Sequence, residues 1–403
     1  MAIRSRLVGR VLDVGLGWLL YGGRPIPAGP FDPDRVKRIL IVRNDNLGDL
    51  LCTTPAFRAL RRRYPSAHIA VLVSAHCRPL LQGNPDVDEV LTYTKAKHRT
   101  RGTTLGAWWG MLRMFRALWA RRFDLAIEMR QRFSQSAAWL VYASRAPWRL
   151  GHRPPLQEPF GFFLNLGLPQ PEGREIQHEV DSALQILRPL GVPAVSRELT
   201  LTVQPEAQER VETRLASLGI GPQERVALIH ISTRRPTSRW PAERFAAVAR
   251  DLLERHGFHV LVNWAPGDDT NLLFPGDDRR VEEVLRLIRT PAHPWETSTL
   301  DDLVASIRRS QFVFSTDGGV MHIAAALQVP QVVIFGRTPV ETWRPCSAVA
   351  RVLKRGEEAV NVGVEEALGM VQALSAELGW PLAGHTAANP AAAGRVDAKK
   401  GAG

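Results

Sequence analysis

The chain has 403 residues, 45% of them hydrophobic, which is enough for two domains that each bury a core. Its three cysteines, Cys52, Cys77 and Cys346, lie too far apart to form the paired motifs of disulfide or metal sites, so we expect a reducing compartment and no metal. Basic residues outnumber acidic ones by 52 to 40, giving a net charge of +12. This charge indicates an anionic partner, which nucleic acid, a membrane surface or a phosphorylated substrate would each satisfy.

The first 34 residues are predicted to be a separate N-terminal segment. Arginines near its start flank an apolar stretch that is interrupted by Asp13, Gly15 and Gly17. The stretch is shorter than the roughly 20 apolar residues of a spanning helix and lacks a clear cleavage site. We expect residues 1–23 to form an amphipathic helix on a membrane surface or, alternatively, a helix packed on its own domain, followed by a proline-rich linker.

Strand-like and helix-like patterns alternate over residues 35–200, which we assign to a first domain. The predicted elements are a strand at 39–42, a helix at 50–64, strands at 68–73 and 87–93, a helix at 105–122, and a strand at 124–129. Such alternation predicts a doubly wound α/β layer. The stretch 151–221 is rich in proline, glycine and charge and is predicted to join two domains, with helices near 180–190 and 207–218.

A second alternating series occupies residues 201–380, the predicted second domain. Its expected strands are 226–231, 259–262, 312–315 and 331–335, and its helices are 242–256, 281–288, 300–310, 320–327 and 364–378. The chain therefore has two Rossmann-like halves. The tail 381–403 has nothing to bury, and we expect it to be disordered.

An aspartate follows the first predicted strand at the start of a helix. Asp49 comes after a single glycine, Gly48, so the loop lacks the GxGxxG fingerprint of dinucleotide-binding proteins. A carboxylate at this edge of a sheet can accept a proton from a bound hydroxyl. The alternative is structural, because an aspartate at a helix start is commonly its N-cap.

Four sequence blocks resemble glycosyltransferase family 9, the lipopolysaccharide heptosyltransferases and their relatives. The blocks are 39–60, 83–90, 239–245 and 315–327, in the order that the family has them. The resemblance implies a GT-B fold, in which two Rossmann-like domains face each other across a deep cleft, with the acceptor on the first domain and the nucleotide sugar on the second. It also implies an inverting transfer in which Asp49 is the general base.

Two glycines follow the predicted strand at 312–315 and precede a helix. Gly318 and Gly319 leave room for phosphate oxygens to approach the backbone N–H groups, where the helix dipole is positive. The resemblance assigns Asp317 and both glycines to the donor, and it places His322 beside the diphosphate. A buried histidine that closes the first helical turn is the structural alternative.

A second donor contact is predicted in the loop at 232–241. Thr233, Arg234 and Arg239 offer a hydroxyl and guanidiniums that suit phosphate oxygens. Relatives commonly carry a lysine where this chain has Ser238, so we expect Arg239, Arg234 or Arg235 to provide the charge instead. Trp240 is interpreted as a core residue.

Two further contacts are expected from turns and loops. The resemblance places an acidic residue on the donor ribose near Asp268 and Asp269, and we assign Asp269, with a solvated turn as the alternative. A basic loop on the first domain contains Lys95, Lys97, Arg99 and Arg101. We expect it to meet phosphates of a lipid-linked glycan, with a solvated charged loop as the alternative.

We therefore expect an inverting glycosyltransferase that needs no cofactor and moves a sugar, by resemblance heptose from ADP-heptose, onto a lipopolysaccharide-core or similar membrane-linked acceptor. Its expected location is the cytoplasm, peripherally on the inner face of the cytoplasmic membrane, with no nucleic acid as partner. The alternatives are a relative that uses another nucleotide sugar or acts as an epimerase, and a non-catalytic membrane-associated binding protein.

Overall fold

The computed structural model describes residues 27, 29–93, 104–154, 161–169, 171, 177–267 and 276–380. The predictions for the helix at 1–23, the basic loop from Lys95 to Arg101, Asp269 and the tail 381–403 concern residues outside these ranges. In the part of the chain that is described, no helix is long and apolar enough to cross a bilayer.

The first half of the chain forms a parallel sheet covered by helices. Its strands are β1 (Arg38–Arg43), β2 (His68–Ser74), β3 (Glu89–Tyr93), β4 (Leu125–Glu128), β5 (Trp148–His152) and β6 (Leu166–Leu168). Its helices are α1 (Leu47–Arg63), α2 (Thr104–Ala120), α3 (Gln135–Ala143) and α4 (Glu179–Ile186). The strand order is β3-β2-β1-β4-β5-β6, so successive strands are added to one side of β1 as far as β3 and to its other side from β4 onwards. Doubly wound sheets have a crevice for ligands at such a switch point, here between β1 and β4.

The second half repeats this architecture. Its strands are β7 (Val226–His230), β8 (His259–Asn263), β9 (His293–Pro294), β10 (Phe312–Thr316), β11 (Gln331–Phe335) and β12 (Ala350–Lys354). Its helices are α5 (Pro205–Ser217), α6 (Ala242–Arg250), α7 (Asp278–Ile288), α8 (Leu300–Arg309), α9 (Gly319–Ala326), α10 (Val340–Trp343) and α11 (Val364–Glu377). The strand order is β12-β11-β10-β7-β8-β9, so the corresponding switch point lies between β10 and β7.

Burial explains why these segments adopt these elements. Every residue of β4, β10 and β11 is buried, as expected for central strands of a parallel sheet that is covered on both faces. Helix α7 buries Val281, Val284 and Ile288, whose spacing forms one apolar stripe. The predicted doubly wound halves are thus confirmed.

Two details of the predicted elements are corrected. The stretch 151–221 is not only a connection, because β5 continues into it and β6 lies within it as an edge strand of the first sheet. Both strands are short and contain a glycine, Gly151 or Gly167, so their apolar pattern is weak. The helix expected at 242–256 is α-helical only to Arg250 and continues as a π-helical turn, Asp251–Arg255.

Helix α5 belongs to the second half by its contacts. Arg210 of α5 forms an ion pair with Asp302 of α8 at 2.6 Å, whereas α4 packs against α1 of the first sheet. The proposed boundary between residues 200 and 201 stays a prediction, and it is compatible with these contacts.

Candidate active site

A cavity of about 280 Å³ lies between the two halves, at the carboxyl ends of β1, β7 and β10. Its walls come from the first turn of α1, the loop after β7 and the first turn of α9. The lining residues are Asn46, Gly48, Asp49, His230, Ser232, Thr233, Arg234, Arg235, Ala265, Asp317, Gly318, Gly319, Val320, Met321, His322, Thr338 and Trp343. The domain faces that were predicted to carry donor and acceptor therefore meet at one site.

Asp49 is the third residue of α1, and its carboxylate closes a capping box. Asn46 is the N-cap, and its backbone N–H donates to Asp49 Oδ2 at 3.3 Å, while its side-chain Nδ2 donates at 3.1 Å. The alternative that Asp49 is the N-cap is therefore wrong, because Asn46 has that position. The Asp49 carboxylate nevertheless stabilises the start of the helix from the third position. About 18% of the side chain is exposed, so it is partly accessible from the cavity.

A buried guanidinium holds the other oxygen of this carboxylate. Arg43, at the end of β1, donates from Nη2 to Asp49 Oδ1 at 3.3 Å and to Glu179 Oε1 at 2.5 Å, and its Nη1 donates to the carbonyl of Met129. Asp45 Oδ2 lies 3.6 Å from Arg43 Nε. Because Arg43 is only 1% exposed and is bound to α1, to α4 and to the residue after β4, it restricts the orientation of Asp49.

The first turns of α1 and α9 fit together through two glycines. A Cβ on Gly48 would lie 2.5 Å from His322 Cδ2, and a Cβ on Gly319 would lie 3.2 Å from Leu47 Cδ1. The absence of side chains at these two positions is what allows the helices to approach so closely.

His322 is buried at this junction beside Cys52, with 3.6 Å between Nδ1 and Sγ. Burial lowers the pKa of His322 to about 4, a shift that the charge of Asp49 partly opposes. Burial also raises the pKa of the Cys52 thiol, so both groups are neutral at pH 7. The contact between Sγ and Nδ1 is possible for both neutral tautomers, with either the thiol or the imidazole as the donor.

The loop after β10 organises the positive side of the cavity. Asp317 is almost fully buried, and its Oδ2 accepts hydrogen bonds from the Thr338 hydroxyl and from Arg235 Nη1, the latter at 3.3 Å. Arg235 also donates to Thr338, yet 61% of its side chain remains exposed. Asp317 thus orients a guanidinium beside Gly318 and Gly319, at the start of α9.

The structure brings together most of the predicted site residues. The cavity contains Asp49, Thr233, Arg234, Asp317, Gly318, Gly319 and His322. Arg234 bridges the two halves, because its Nη2 donates to Asn46 Oδ1 at 3.1 Å. Trp240 is fully buried and donates from Nε1 to the Val362 carbonyl at 2.9 Å, in agreement with its interpretation as a core residue.

Arg239 does not line this cavity. It faces Arg279 and Arg280 in a separate depression and approaches Asp277, with 3.5 Å between Nη2 and Oδ1. The chain turns through a short 3-10 helix at Pro236–Ser238, which points residues 235 and 239 in different directions. The basic charge in the cavity therefore comes from Arg234 and Arg235, and Arg235 was only an alternative in the sequence analysis.

Three cavity residues were missed by the sequence analysis. His230 ends β7 and contacts Asn263 Oδ1 through Nδ1 at 2.7 Å, Thr338 follows β11, and Trp343 ends α10. The first two lie at or just past the carboxyl end of a parallel strand, which is a signal that could have found them. In the described part of the chain, no group of three His, Cys, Asp or Glu side chains is placed to hold a metal ion.

The sequence profile described as glycosyltransferase family 9 (heptosyltransferase) matches residues 111–368. The chain belongs to this family. It is a glycosyltransferase, as its match to curated relatives also indicates. It is similar to lipopolysaccharide heptosyltransferase 3 of Escherichia coli, with 28% identity over 74% of this chain and 84% of that protein.

Solved structures of the family have the same fold. The family 9 glycosyltransferase of Veillonella parvula DSM 2008 superposes with a TM-score of 0.73, at 23% identity, over 85% of this chain and 97% of that one. E. coli heptosyltransferase WaaC with ADP superposes with a TM-score of 0.67, at 18% identity, over 84% of this chain and 99% of that one. The two facing Rossmann-like domains are thus a GT-B fold, and the predicted fold class and family are confirmed.

Proposed function

We propose that this glycosyltransferase transfers heptose from ADP-heptose to a lipopolysaccharide-core or similar membrane-linked glycan, with inversion at the anomeric carbon. The observation that carries the proposal is the meeting of Asp49, from one domain, with Arg234, Arg235 and the start of α9, from the other, in one cavity. The choice of sugar and nucleotide rests on the relatives, whose names specify heptosyl transfer and, for WaaC, ADP.

The second domain is suited to bind the diphosphate. The first N–H groups of α9 have no partner within the helix, and the helix dipole makes that end positive. Gly318 and Gly319 leave the approach open, while Arg235 and Arg234 reach the cavity from the loop after β7. These groups can take up the negative charge that develops on ADP as the bond from the anomeric carbon to the diphosphate breaks.

The first domain is suited to activate the acceptor. In the proposed step, the oxygen of an acceptor hydroxyl bonds to the anomeric carbon while Asp49 accepts the proton of that hydroxyl. ADP leaves from the opposite side of the ring. Arg43 and Asn46 fix the carboxylate beforehand, which reduces the orientational cost of reaching the transition state. His322, neutral at pH 7, can donate a hydrogen bond towards the donor when Nε2 carries the proton.

Acceptor contacts are proposed for the basic loop with Lys95, Lys97, Arg99 and Arg101, and a ribose contact is proposed for Asp269. Relatives named for lipopolysaccharide heptosyl transfer support an acceptor in a membrane-embedded glycolipid. We accordingly propose that the enzyme works at the inner surface of the cytoplasmic membrane.

The test measures transfer of heptose from ADP-heptose to a purified, truncated lipopolysaccharide core that still has a free position for one more heptose. ADP release, the mass of the product and the anomeric configuration by NMR should report one added heptose with inverted linkage. Parallel reactions with other nucleotide sugars, and with ADP-heptose but no acceptor, test the alternatives. Transfer from a different donor, retention of configuration, or isomerisation of the donor without acceptor would each contradict a part of the proposal.

A further inference from the structure

Helices α2 and α3 form the outer layer on one face of the first sheet. They lie side by side, because Trp119 Nε1 of α2 donates to the carbonyl of Ala143 of α3 at 2.8 Å. Phe115 of α2 packs edge-on against Trp139 of α3, with 5.3 Å between ring centroids. The two helices therefore present one continuous outer surface.

This surface belongs to a strongly basic stretch of sequence. Between positions 104 and 149 there are eight arginines, no lysine, and only two acidic residues, Asp124 and Glu128. Neither acid neutralises the outer surface, since Asp124 accepts hydrogen bonds from the backbone N–H groups of Lys37 and Arg38 and Glu128 is fully buried. Arg113 and Arg116 are exposed on α2, and neither has an ion pair in the described part of the chain.

Apolar side chains are exposed among these arginines. Leu112, next to Arg113, is 46% exposed, and Phe162 is 38% exposed while it packs edge-on against Tyr142 at the end of α3. Arg145 stacks over the Trp119 ring, with 3.6 Å from its guanidinium carbon to the ring centroid. We call the surface of Leu112, Arg113, Arg116, Trp119, Arg145 and Phe162 the basic face.

The direction of the helices relates the basic face to the active site. Helix α2 connects β3 to β4 and α3 connects β4 to β5, and all three strands are parallel. The N-terminal ends of both helices therefore lie at the carboxyl edge of the sheet, which is also the edge that carries Asp49. The residues of the basic face lie from the middle of α2 to its end, beyond the end of α3 and just before β6, so the face is displaced towards the amino edge of the sheet, away from the cavity.

We propose that the basic face docks the enzyme on an anionic lipid bilayer. Arginines beside exposed leucine and aromatic residues suit an interface in which the guanidiniums meet phosphates and the apolar groups enter the boundary with the acyl chains. A nucleic acid would match the charge but would leave Leu112 without a partner. The proposal rests on the proposed function in one respect only, which is that a membrane-borne acceptor requires the enzyme to be at a bilayer.

The test measures partitioning of the full-length protein onto vesicles that contain phosphatidylglycerol, compared with purely zwitterionic vesicles. Each basic residue at such a surface contributes about 1 kcal/mol, so Arg113→Gln with Arg116→Gln should weaken binding to the anionic vesicles about 30-fold. The triple variant Leu112→Glu, Arg113→Glu, Arg116→Glu should lose more than that. An unchanged urea unfolding midpoint of both variants shows that the fold is retained.

A matched triple variant on the second domain controls for net charge. Leu218→Glu, Arg286→Glu and Arg308→Glu also replace one exposed leucine and two exposed arginines, and this variant should bind vesicles within about threefold of the parent. Equal losses in the two triples, parent-like binding of the first triple, or preferential loss of RNA binding would each overturn the docking face. Vesicle binding needs neither donor nor acceptor, so a failure to transfer heptose would reject the proposed function and leave this result standing.

Discussion

The two domains share one strand order, yet their crevices at the switch point have opposite character. In the first domain this region is occupied by ion pairs, because Arg43 at the end of β1 contacts Asp45, Asp49 and Glu179. In the second domain the loop after β10 has two glycines without side chains, and the nearby Arg235 is mostly exposed. The first crevice is internally paired, whereas the second is open and positive.

This difference shows how one fold, used twice, can divide the work of a transfer reaction. A proton acceptor has to be held in one orientation, which the buried network around Arg43 achieves. A diphosphate has to be bound and released, for which exposed guanidiniums and free helical N–H groups are suitable. Four predictions test whether the two crevices really differ in this way.

The largest effect is expected from Asp49→Asn. Asparagine keeps an acceptor for the capping box but cannot take a proton, so kcat should fall by a factor of about 100 to 10,000. Because the donor is expected on the other domain, ADP affinity measured by calorimetry should change little.

Asp302→Asn is the matched control for Asp49→Asn. Asp302 is also the third residue of a helix, accepts a hydrogen bond from its N-cap residue Thr299 and pairs with Arg210, but it lies on α8, outside the cavity. Its variant should keep full activity. An Asp49→Asn enzyme that works within about threefold of the parent would leave Asp49 with only its structural role.

The next effect concerns the positive crevice. Arg235→Ala should weaken ADP binding by about 1.5 to 3 kcal/mol, the usual contribution of a charge-assisted hydrogen bond. Arg239→Ala is the comparison within the same loop, and it should bind ADP like the parent because Arg239 faces Asp277 outside the cavity. Calorimetry with ADP distinguishes the two arginines, and the reverse ranking would return the phosphate contact to Arg239.

The sequence was sufficient for the two halves and for most of the cavity. Long apolar strands and glycines at strand ends are local signals, so β1, β10, Asp49 and the Gly318 turn could be found without a structure. Strands β5 and β6 were missed, since a strand three to five residues long has little periodicity. His230 and Thr338 were missed because each becomes a site residue only when distant strands meet.

The orientation of Arg235 relative to Arg239 shows a second limit. Both are arginines of one loop, and nothing in their spacing distinguishes them. The 3-10 turn at Pro236–Ser238 and the close approach of Gly336 to this turn direct the two side chains. A Cβ on Gly336 would lie 2.2 Å from the Thr237 carbonyl oxygen. This contact joins residues 99 positions apart, so it could not be predicted from local sequence patterns.

The third prediction disturbs the contact between the two crevices. In Gly48→Ala the new methyl group would overlap the His322 ring, and overpacking of this kind costs about 1 to 3 kcal/mol. The urea midpoint should fall, and transfer should fall with it as His322 is displaced.

Gly369→Ala is the control for Gly48→Ala. Gly369 is an exposed helical glycine, and a Cβ added there would have no neighbouring atom within 4 Å. This variant should therefore gain about 0.5 to 1 kcal/mol of stability, because alanine loses less backbone entropy than glycine in a helix. A stable, fully active Gly48→Ala enzyme would show that the helices do not need this close fit.

The smallest effect tests how tightly the first crevice is closed. Burial raises the pKa of Glu128 to about 8, although Ser134 donates a backbone hydrogen bond to Oε1. In the unfolded chain a glutamate ionises near its ordinary pKa of about 4.3. Between these two values the folded state binds more protons than the unfolded state, so stability falls as pH rises.

Glu128→Gln removes this titration while it keeps the shape of the side chain. Between pH 6 and pH 7 the parent should therefore lose about 1 kcal/mol of unfolding free energy relative to the Gln variant, as measured by urea denaturation at each pH. Parallel pH dependence of the two proteins would mean that water reaches Glu128, and that the first crevice is as open as the second.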